Sequence, residues 1–201
     1  MAKRTSSSSD ILLGLLAIEP MSGYDLGMTI RASVGHFWSE SYGQIYPNLK
    51  KLAAEGCVTA KTERQKDKPD RRIYSITKKG HDRLARWLAV PPQPEIPRNE
   101  LLLKLFFGDK VPAEALIAYV ERMLESERST LREFIRIESE EIAPNQHYPG
   151  APYWKMVARF GQLELQAHVR WAEETLTALR KLHDAQRTDS ATRKGKEHAR
   201  K

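Results

Sequence analysis

Four of the chain's eleven prolines fall within eight residues, Val90-Pro-Pro-Gln-Pro-Glu-Ile-Pro97. Proline lacks a backbone N–H and crowds the preceding turn, and it pushes the residue before it away from helical backbone. No regular helix passes through such a stretch, and no central strand tolerates it. Its natural form is a stiff, extended connector. The 201 residues are therefore predicted to fold as two units joined over 91–99. The first spans 10–90 after a disordered start, 1–9. The second spans 100–184 and is followed by a basic, disordered tail, 185–201.

Charge follows the same division. Residues 1–90 carry 15 Lys and Arg against 9 Asp and Glu, residues 91–184 carry 12 against 15, and residues 185–201 carry 6 against 2. A basic first unit joined to a mildly acidic second one points to a polyanion contact at one end and a different task at the other. Cys57 is the only cysteine, which excludes an internal disulfide and any cysteine-cluster metal site. The longest clean apolar run, Ile11–Ile18, is too short to span a bilayer. Glu19-Pro20 stands where a signal peptide would need small residues. A soluble, cytoplasmic protein is expected, with no membrane partner.

The first unit reads as helix, helix, helix, hairpin, helix. Asp10 is positioned to cap a helix over Ile11–Ile18, stopped by Pro20. Ser22-Gly-Tyr-Asp25 has the form of a capping box and opens a second helix that includes Leu26 and Ile30. Phe37 and Trp38 in the following turn are expected to anchor in the core. Ser41-Tyr-Gly-Gln44, a second capping box, starts a third helix that runs to about Glu55 before Gly56. Two strand-like runs, Val58–Arg64 and Arg71–Thr77, flank the polar loop Gln65–Asp70 and predict a hairpin. Thr77 then caps a fourth helix with Leu84, Trp87 and Leu88 on one face.

That order is the order of a winged helix-turn-helix, in which the third helix enters the major groove and the hairpin lies along the backbone. Projected at about 100° per residue, the third helix gathers Ile45, Leu49 and Leu52 on one side. Gly43, Pro47 and Lys50 fall opposite, with Gln44, Tyr46 and Lys51 on the flanks. An amide suits adenine edges, a phenol suits bases or phosphate, and the two ammonium groups suit phosphate. Pro47 sits deep for a proline, but Gly43 four residues earlier relieves its clash, and a local distortion is expected there. The hairpin tip adds Arg64, Lys66, Lys68, Arg71 and Arg72. Each alone could equally be a solvated loop charge; gathered beside a second basic face, they favour phosphate contact.

The motifs S-x-G-Q-I-Y-P-N-L-K-K-L-x-x-E-G and K-P-D-R-R-I-Y-S-I-T-K-K-G, with M-S-G-Y-D-L upstream and E-L-L-L-K-L-F-F-G-D after the connector, resemble the PadR transcriptional regulators of the larger type. The resemblance covers residues 11 to about 182. It implies a fold that is mainly α with a small β-hairpin, a winged helix-turn-helix followed by a long-helix dimerisation domain. It implies a homodimer joined through the C-terminal helices and a roughly palindromic double-stranded DNA operator. Repression relieved by a small aromatic effector is also implied. The resemblance implies that residues corresponding to Tyr24, Gln44, Tyr46 and the wing cations approach DNA; Ser41, Gly43, Lys50 and Lys51 join them as candidates from the third helix itself.

After the connector, Leu101–Phe107 is a short apolar piece and Pro112 suits the first position of a helix. Val120, Leu124, Leu131 and Phe134 keep heptad-like spacing, as do Trp154, Val157, Gly161, Leu165, His168, Trp171 or Ala172, Leu176 or Thr175, Leu179 and Leu182 in the last helix. Two such helices are expected to need a second copy to cover both stripes. Trp154, His168 and Trp171 are candidates for an effector pocket, the competing reading being ordinary packing around a hydrogen-bonded histidine. The chain lacks G-x-S-x-G, a P-loop, H-E-x-x-H and Cys/His ligand pairs, so neither an enzyme nor a cofactor or metal is expected. A helical adaptor whose winged helix binds protein is the alternative, and the basic wing argues against it.

Overall fold

The structure is a computed structural model and describes residues 8–38, 42–64, 70–92 and 98–198. The chain divides at Glu95/Ile96 into two compact units, within the connector that the prolines predict.

In the first unit, α1 (Ser8–Leu16) places Leu12, Leu13, Leu15 and Leu16 in the core. Asp10 is not its cap. It lies in the first turn, buried, where a carboxylate favours the helix dipole but needs a partner once out of water. Arg83 supplies that partner, with Nε 3.1 Å from Asp10 Oδ1 and Nη1 2.7 Å from Glu55 Oε2. One guanidinium thus ties α1 to the end of α3 (Tyr42–Ala54) and to α4 (Lys78–Leu88).

The chain then makes a two-residue strand, β1 (Met21–Ser22), before α2 (Gly23–Ala32). Two residues are too few to show alternation, so the sequence predicts only the hairpin of β2 (Val58–Glu63) and β3 (Arg71–Ile76). The sheet has the order β1-β3-β2, antiparallel throughout. Met21 stands opposite Tyr74 and Ser22 opposite Ile73, while β2 runs from Val58 opposite Ile76 to Glu63 opposite Arg71. Leu26 and Ile30 of α2 meet Ile45, Leu49 and Leu52 of α3 beneath this sheet, with Cys57, Val58 and Tyr74 closing the core. Burying side chains of this size contributes about 1.5–3 kcal/mol each.

Gly56 adopts φ +69°, the left-handed conformation that ends α3. Thr77 Oγ1 donates to the Gly56 carbonyl at 2.7 Å and accepts from the Gly80 N–H at 3.2 Å, so one hydroxyl caps α4 and fastens it to α3. Glycine is required at position 80 because a Cβ there would strike the Cys57 carbonyl. Two aromatic expectations fail. A turn of 3₁₀ helix, Val34–His36, brings the Phe37 and Trp38 N–H groups back to the Val34 carbonyl. Val34 packs on the core, Phe37 is left 59% exposed and Trp38 is half-buried. On α4, Leu84 reaches the core while Trp87 and Leu88 are exposed.

The second unit begins with α5 (Glu100–Phe106), capped by Asn99 Oδ1 accepting from the Leu102 N–H at 3.0 Å. Next come α6 (Ala113–Arg136), a π-helical continuation over Ile137–Ile142 and α7 (Ala151–His198). Pro112 is the residue before α6 rather than its first. Helices α6 and α7 run antiparallel, as cross-links from Glu121–Arg180 through Arg128–Glu173 to Glu138–Gln162 establish. Leu116, Val120 and Leu124 pack with Ala172, Leu176 and Leu179, and Phe134 and Ile142 pack with Ala158 and Leu165. Gly161 lets the helices approach, since a Cβ there would enter the Phe134 ring.

Two expectations for this unit change. The helix continues to His198, past the boundary drawn at 184. Residues 185–198 contain no proline and include two Ala, two Arg and two Lys, and extending a formed helix avoids the nucleation cost. Helices α6 and α7 also bury most of the heptad stripes against each other. Val157 and Leu182, assigned to the inner stripe, are exposed. What remains uncovered is a different face of α7: Tyr153, Met156, Val157, Phe160 and Leu163 at spacings of three and four.

Candidate nucleic-acid interface

Helix α3 carries its amphipathicity where the projection puts it. Ile45, Leu49 and Leu52 are buried, and Gly43, Gln44, Tyr46, Pro47, Lys50 and Lys51 are all exposed. The helix is unbroken through Pro47. Its anchor is Asn48, on the margin between the two faces: Asn48 Nδ2 donates to the Gln44 carbonyl at 2.8 Å, and Oδ1 accepts from Ser9 Oγ on α1 at 2.7 Å. Sequence reasoning passed over Asn48 because an amide between Pro47 and the Lys50-Lys51 pair reads as surface. Lys51 lies 4.0 Å from Glu55, one turn on. Such an exposed pair stabilises little and leaves the ammonium accessible.

The first turn of α2 lies against this helix. Gly23 leaves room for the Tyr46 ring: a Cβ there would come within 2.6 Å of Cε1 of Tyr46. The Tyr46 ring therefore rests on the α2 backbone while staying 57% exposed, and its neighbour Tyr24 is 64% exposed. Two phenols thus stand beside an amide and two ammonium groups.

The predicted capping box is present. The Asp25 N–H donates to Ser22 Oγ at 3.2 Å, and Asp25 Oδ2 accepts from the Ser22 N–H at 3.1 Å and from Ser22 Oγ at 2.8 Å. The same carboxylate oxygen receives the Arg71 guanidinium. Burial works to raise the Asp25 carboxyl's pKa, yet the Ser22 hydrogen bonds and Arg71 together hold it below the ordinary carboxylate value.

Arg71 is consequently not a free wing cation. It is the first residue of β3, half-buried and turned onto α2. Arg72 beside it is exposed, with its guanidinium 5.6 Å from the centre of the Tyr74 ring. That contact holds the side chain along β3. Arg64 is exposed at the end of β2, and Lys61 on the same edge strand is a further exposed cation that the sequence reading did not single out. Strand alternation alone would not have found it, because every β2 residue after Val58 is exposed. Ser41, Lys66 and Lys68 lie outside the described residues.

The three effector candidates do not form one pocket. Trp154 belongs with Phe134, Ile142 and Leu165, its ring 5.8 Å from that of Tyr148. Trp171 packs against the other cluster, with Val120 and Leu176. His168 is on neither: its side chain is 46% exposed, with Nδ1 3.5 Å from Glu127 Oε2. Trp154 and Trp171 are 17 residues apart on α7, about 25 Å along the axis. His168 instead borders a groove of about 430 Å³ between α5 and α6, lined also by Leu101, Lys104, Tyr119, Arg122 and Met123. Among the described residues, no group of three or more His, Cys, Asp or Glu side chains could hold a metal ion, and no helix is long and apolar enough to cross a membrane.

Comparison with known proteins agrees with this geometry on both sides of the connector. Residues 12–86 match the family model described as the transcriptional regulator PadR-like family, and residues 97–180 match that of the virulence activator alpha C-terminal region. The negative transcriptional regulator PadR of Bacillus subtilis is 40% identical over 97 residues, which span 48% of this chain and 53% of that protein. The crystal structure of Bacillus subtilis PadR in complex with operator DNA superposes with a TM-score of 0.73 at 28% identity, covering 85% of this chain and 98% of the other. The same protein in complex with p-coumaric acid gives a TM-score of 0.69 at 27% identity, covering 86% and 98%. These relatives are regulators rather than enzymes, and this chain carries a PadR-like transcriptional-regulator domain in its first unit, followed by a second unit of the virulence activator alpha C-terminal type.

Proposed function

We propose that the chain is a homodimeric repressor that binds a roughly palindromic operator and releases it when a small aromatic acid binds the second unit. The observation that carries the DNA reading is the outward face of α3. Gln44, Tyr46, Lys50 and Lys51 are exposed next to Tyr24, and Lys61, Arg64 and Arg72 project from the wing. Amide and phenol groups read base edges, and the cations neutralise phosphate. An adaptor that bound protein would have no use for so many exposed cations on one side.

Dimerisation is supported by the uncovered apolar face of α7, where Met156 and Phe160 are 66% and 68% exposed, and by Leu102, Leu103 and Phe106 on α5. An apolar surface of this extent on a water-soluble unit is characteristic of an interface, and a two-fold pair would set two recognition helices on two half-sites. For the effector, the α5–α6 groove is a better seat than the tryptophans. Tyr119 and Met123 offer flat apolar contact, and Arg122 offers a cation for a carboxylate. The relative solved with p-coumaric acid supports the same ligand class.

Selection of purified protein on random duplex DNA at two salt concentrations tests the reading. Enrichment of an inverted repeat, with affinity falling steeply as salt rises, is expected. Failure to enrich any sequence contradicts it. A reporter placed downstream of the selected site separates repression from activation.

A further inference from the structure

The first turn of α2 touches both parts of the reading face. Ser22 pairs through its backbone with Ile73 of β3, Asp25 holds Arg71 on the same strand, and Gly23 between them seats the Tyr46 ring of α3. Three of four consecutive residues, Ser22, Gly23 and Asp25, therefore contact the wing strand on one side and the recognition helix on the other, with Tyr24 left pointing to solvent. The backbone contact is short: β1 contributes two residues, and only Met21 and Ser22 pair with the wing. The Asp25–Arg71 ion pair bridges residues 46 positions apart and is the side-chain contact that continues the connection toward the outer end of the hairpin, where Arg71 stands opposite Glu63.

We infer that Asp25 and Arg71 form a latch that sets the wing at a fixed angle to the recognition helix, so that Arg71 acts on DNA through Asp25 and not by touching phosphate. Both residues are positioning residues. The chemistry favours this division. A guanidinium on a carboxylate that already accepts two hydrogen bonds from Ser22 is held in one place. Turning it outward to a phosphate would break a charge-assisted hydrogen bond and leave the carboxylate facing the DNA unneutralised. Arg72, one residue on, faces the opposite side of the strand with no carboxylate on it among the described residues. Neighbouring arginines thus differ in role: Arg71 orients the wing and Arg72 meets the backbone of the duplex.

The inference rests on the operator-binding reading, and the test separates the two. Wild type, Arg71→Gln, Asp25→Asn, the double variant and Arg72→Gln are titrated with the selected operator and with a scrambled duplex across a salt series. Thermal unfolding confirms that each variant is folded. Loss of one latch partner is expected to reduce operator affinity on the order of 5-fold, the double variant being no worse than either single one. Scrambled-duplex affinity and the salt slope should stay at their wild-type values for Asp25→Asn, Arg71→Gln and the double variant. Arg72→Gln should instead lower the magnitude of the slope by about 0.9 and weaken both duplexes alike. Hydrogen exchange at the β3 amides should accelerate in Arg71→Gln and Asp25→Asn equally, without DNA present. The latch is overturned if Arg71→Gln flattens the salt slope while Asp25→Asn does not, or if the two losses add. Should wild type itself fail to distinguish operator from scrambled duplex, the operator reading has failed. A failed latch leaves the wild-type preference intact.

Discussion

Helices α3 and α7 both bury apolar side chains within their own unit, yet what each leaves in water is opposite in kind. On α3 the outward face is glycine, amide, phenol and ammonium. On the first third of α7 it is Tyr153, Met156, Phe160 and Leu163. A folded core requires only the inner faces, so the outer ones record what each unit meets. A hydrated, cationic face suits a polyanion whose counterions it releases, and an apolar face suits another apolar face. On the function proposed above, recognition falls to the first unit and pairing to the second.

The largest expected effect removes the pairing. Met156→Glu with Phe160→Glu should leave α6 and α7 packed, since neither side chain is part of their shared core, yet yield a monomer in sedimentation. Operator affinity should fall ~100-fold or more, because two linked half-sites gain from each other's proximity. A dimer that survives these charges would break the comparison at α7.

Packing of the inner faces should give a smaller effect. Gly161→Ala forces a methyl group into the Phe134 ring, and thermal or denaturant unfolding should report a loss of about 1–3 kcal/mol in the second unit. DNA contacts of the first unit should be untouched in a monomer-corrected assay. Sharper still for the outer face of α3, Gln44→Ala or Tyr46→Ala should cost about 1–3 kcal/mol of discrimination between operators. Neither change should alter sedimentation.

The smallest effect is on acid stability. The Asp25 carboxyl has a folded-state pKa held below its unfolded value, which is about 3.9 for Asp. Its contribution is therefore fully present above the unfolded pKa and is lost as pH falls through the folded one. Between pH 5 and pH 3, unfolding of wild type should weaken more steeply than that of Asp25→Asn. Identical pH profiles would mean that the carboxylate gains nothing from Ser22 and Arg71.

Much of this was legible in the residues. The prolines at 91, 92, 94 and 97 marked the division, the three-and-four spacing of Ile45, Leu49 and Leu52 gave the buried face of α3, and the Ser22–Asp25 capping box stands as the pattern predicts. What escaped was whatever depends on a partner distant in sequence. Asp10 looked like a cap because its ion-pair partner, Arg83, lies 73 residues away. Arg71 looked like its neighbour Arg72, since nothing local says that one guanidinium turns toward Asp25. The two faces of α7 were confused for a similar reason. Val157 and Leu182 fit the heptad frame, but a straight helix drifts against a seven-residue repeat, and over a helix this long only contacts with α6 decide which side is inner. His168 left the apolar stripe by the same drift.

Whether the first unit reads DNA while the second pairs the chains is tested most directly by counting chains on the operator. Purified protein and the selected duplex would be measured by mass at saturation, alongside the Met156→Glu, Phe160→Glu variant. Two chains per duplex for the wild type are predicted, with a single weakly held chain for the variant on an isolated half-site. One wild-type chain per duplex at saturation, with undiminished affinity in the variant, would contradict the account.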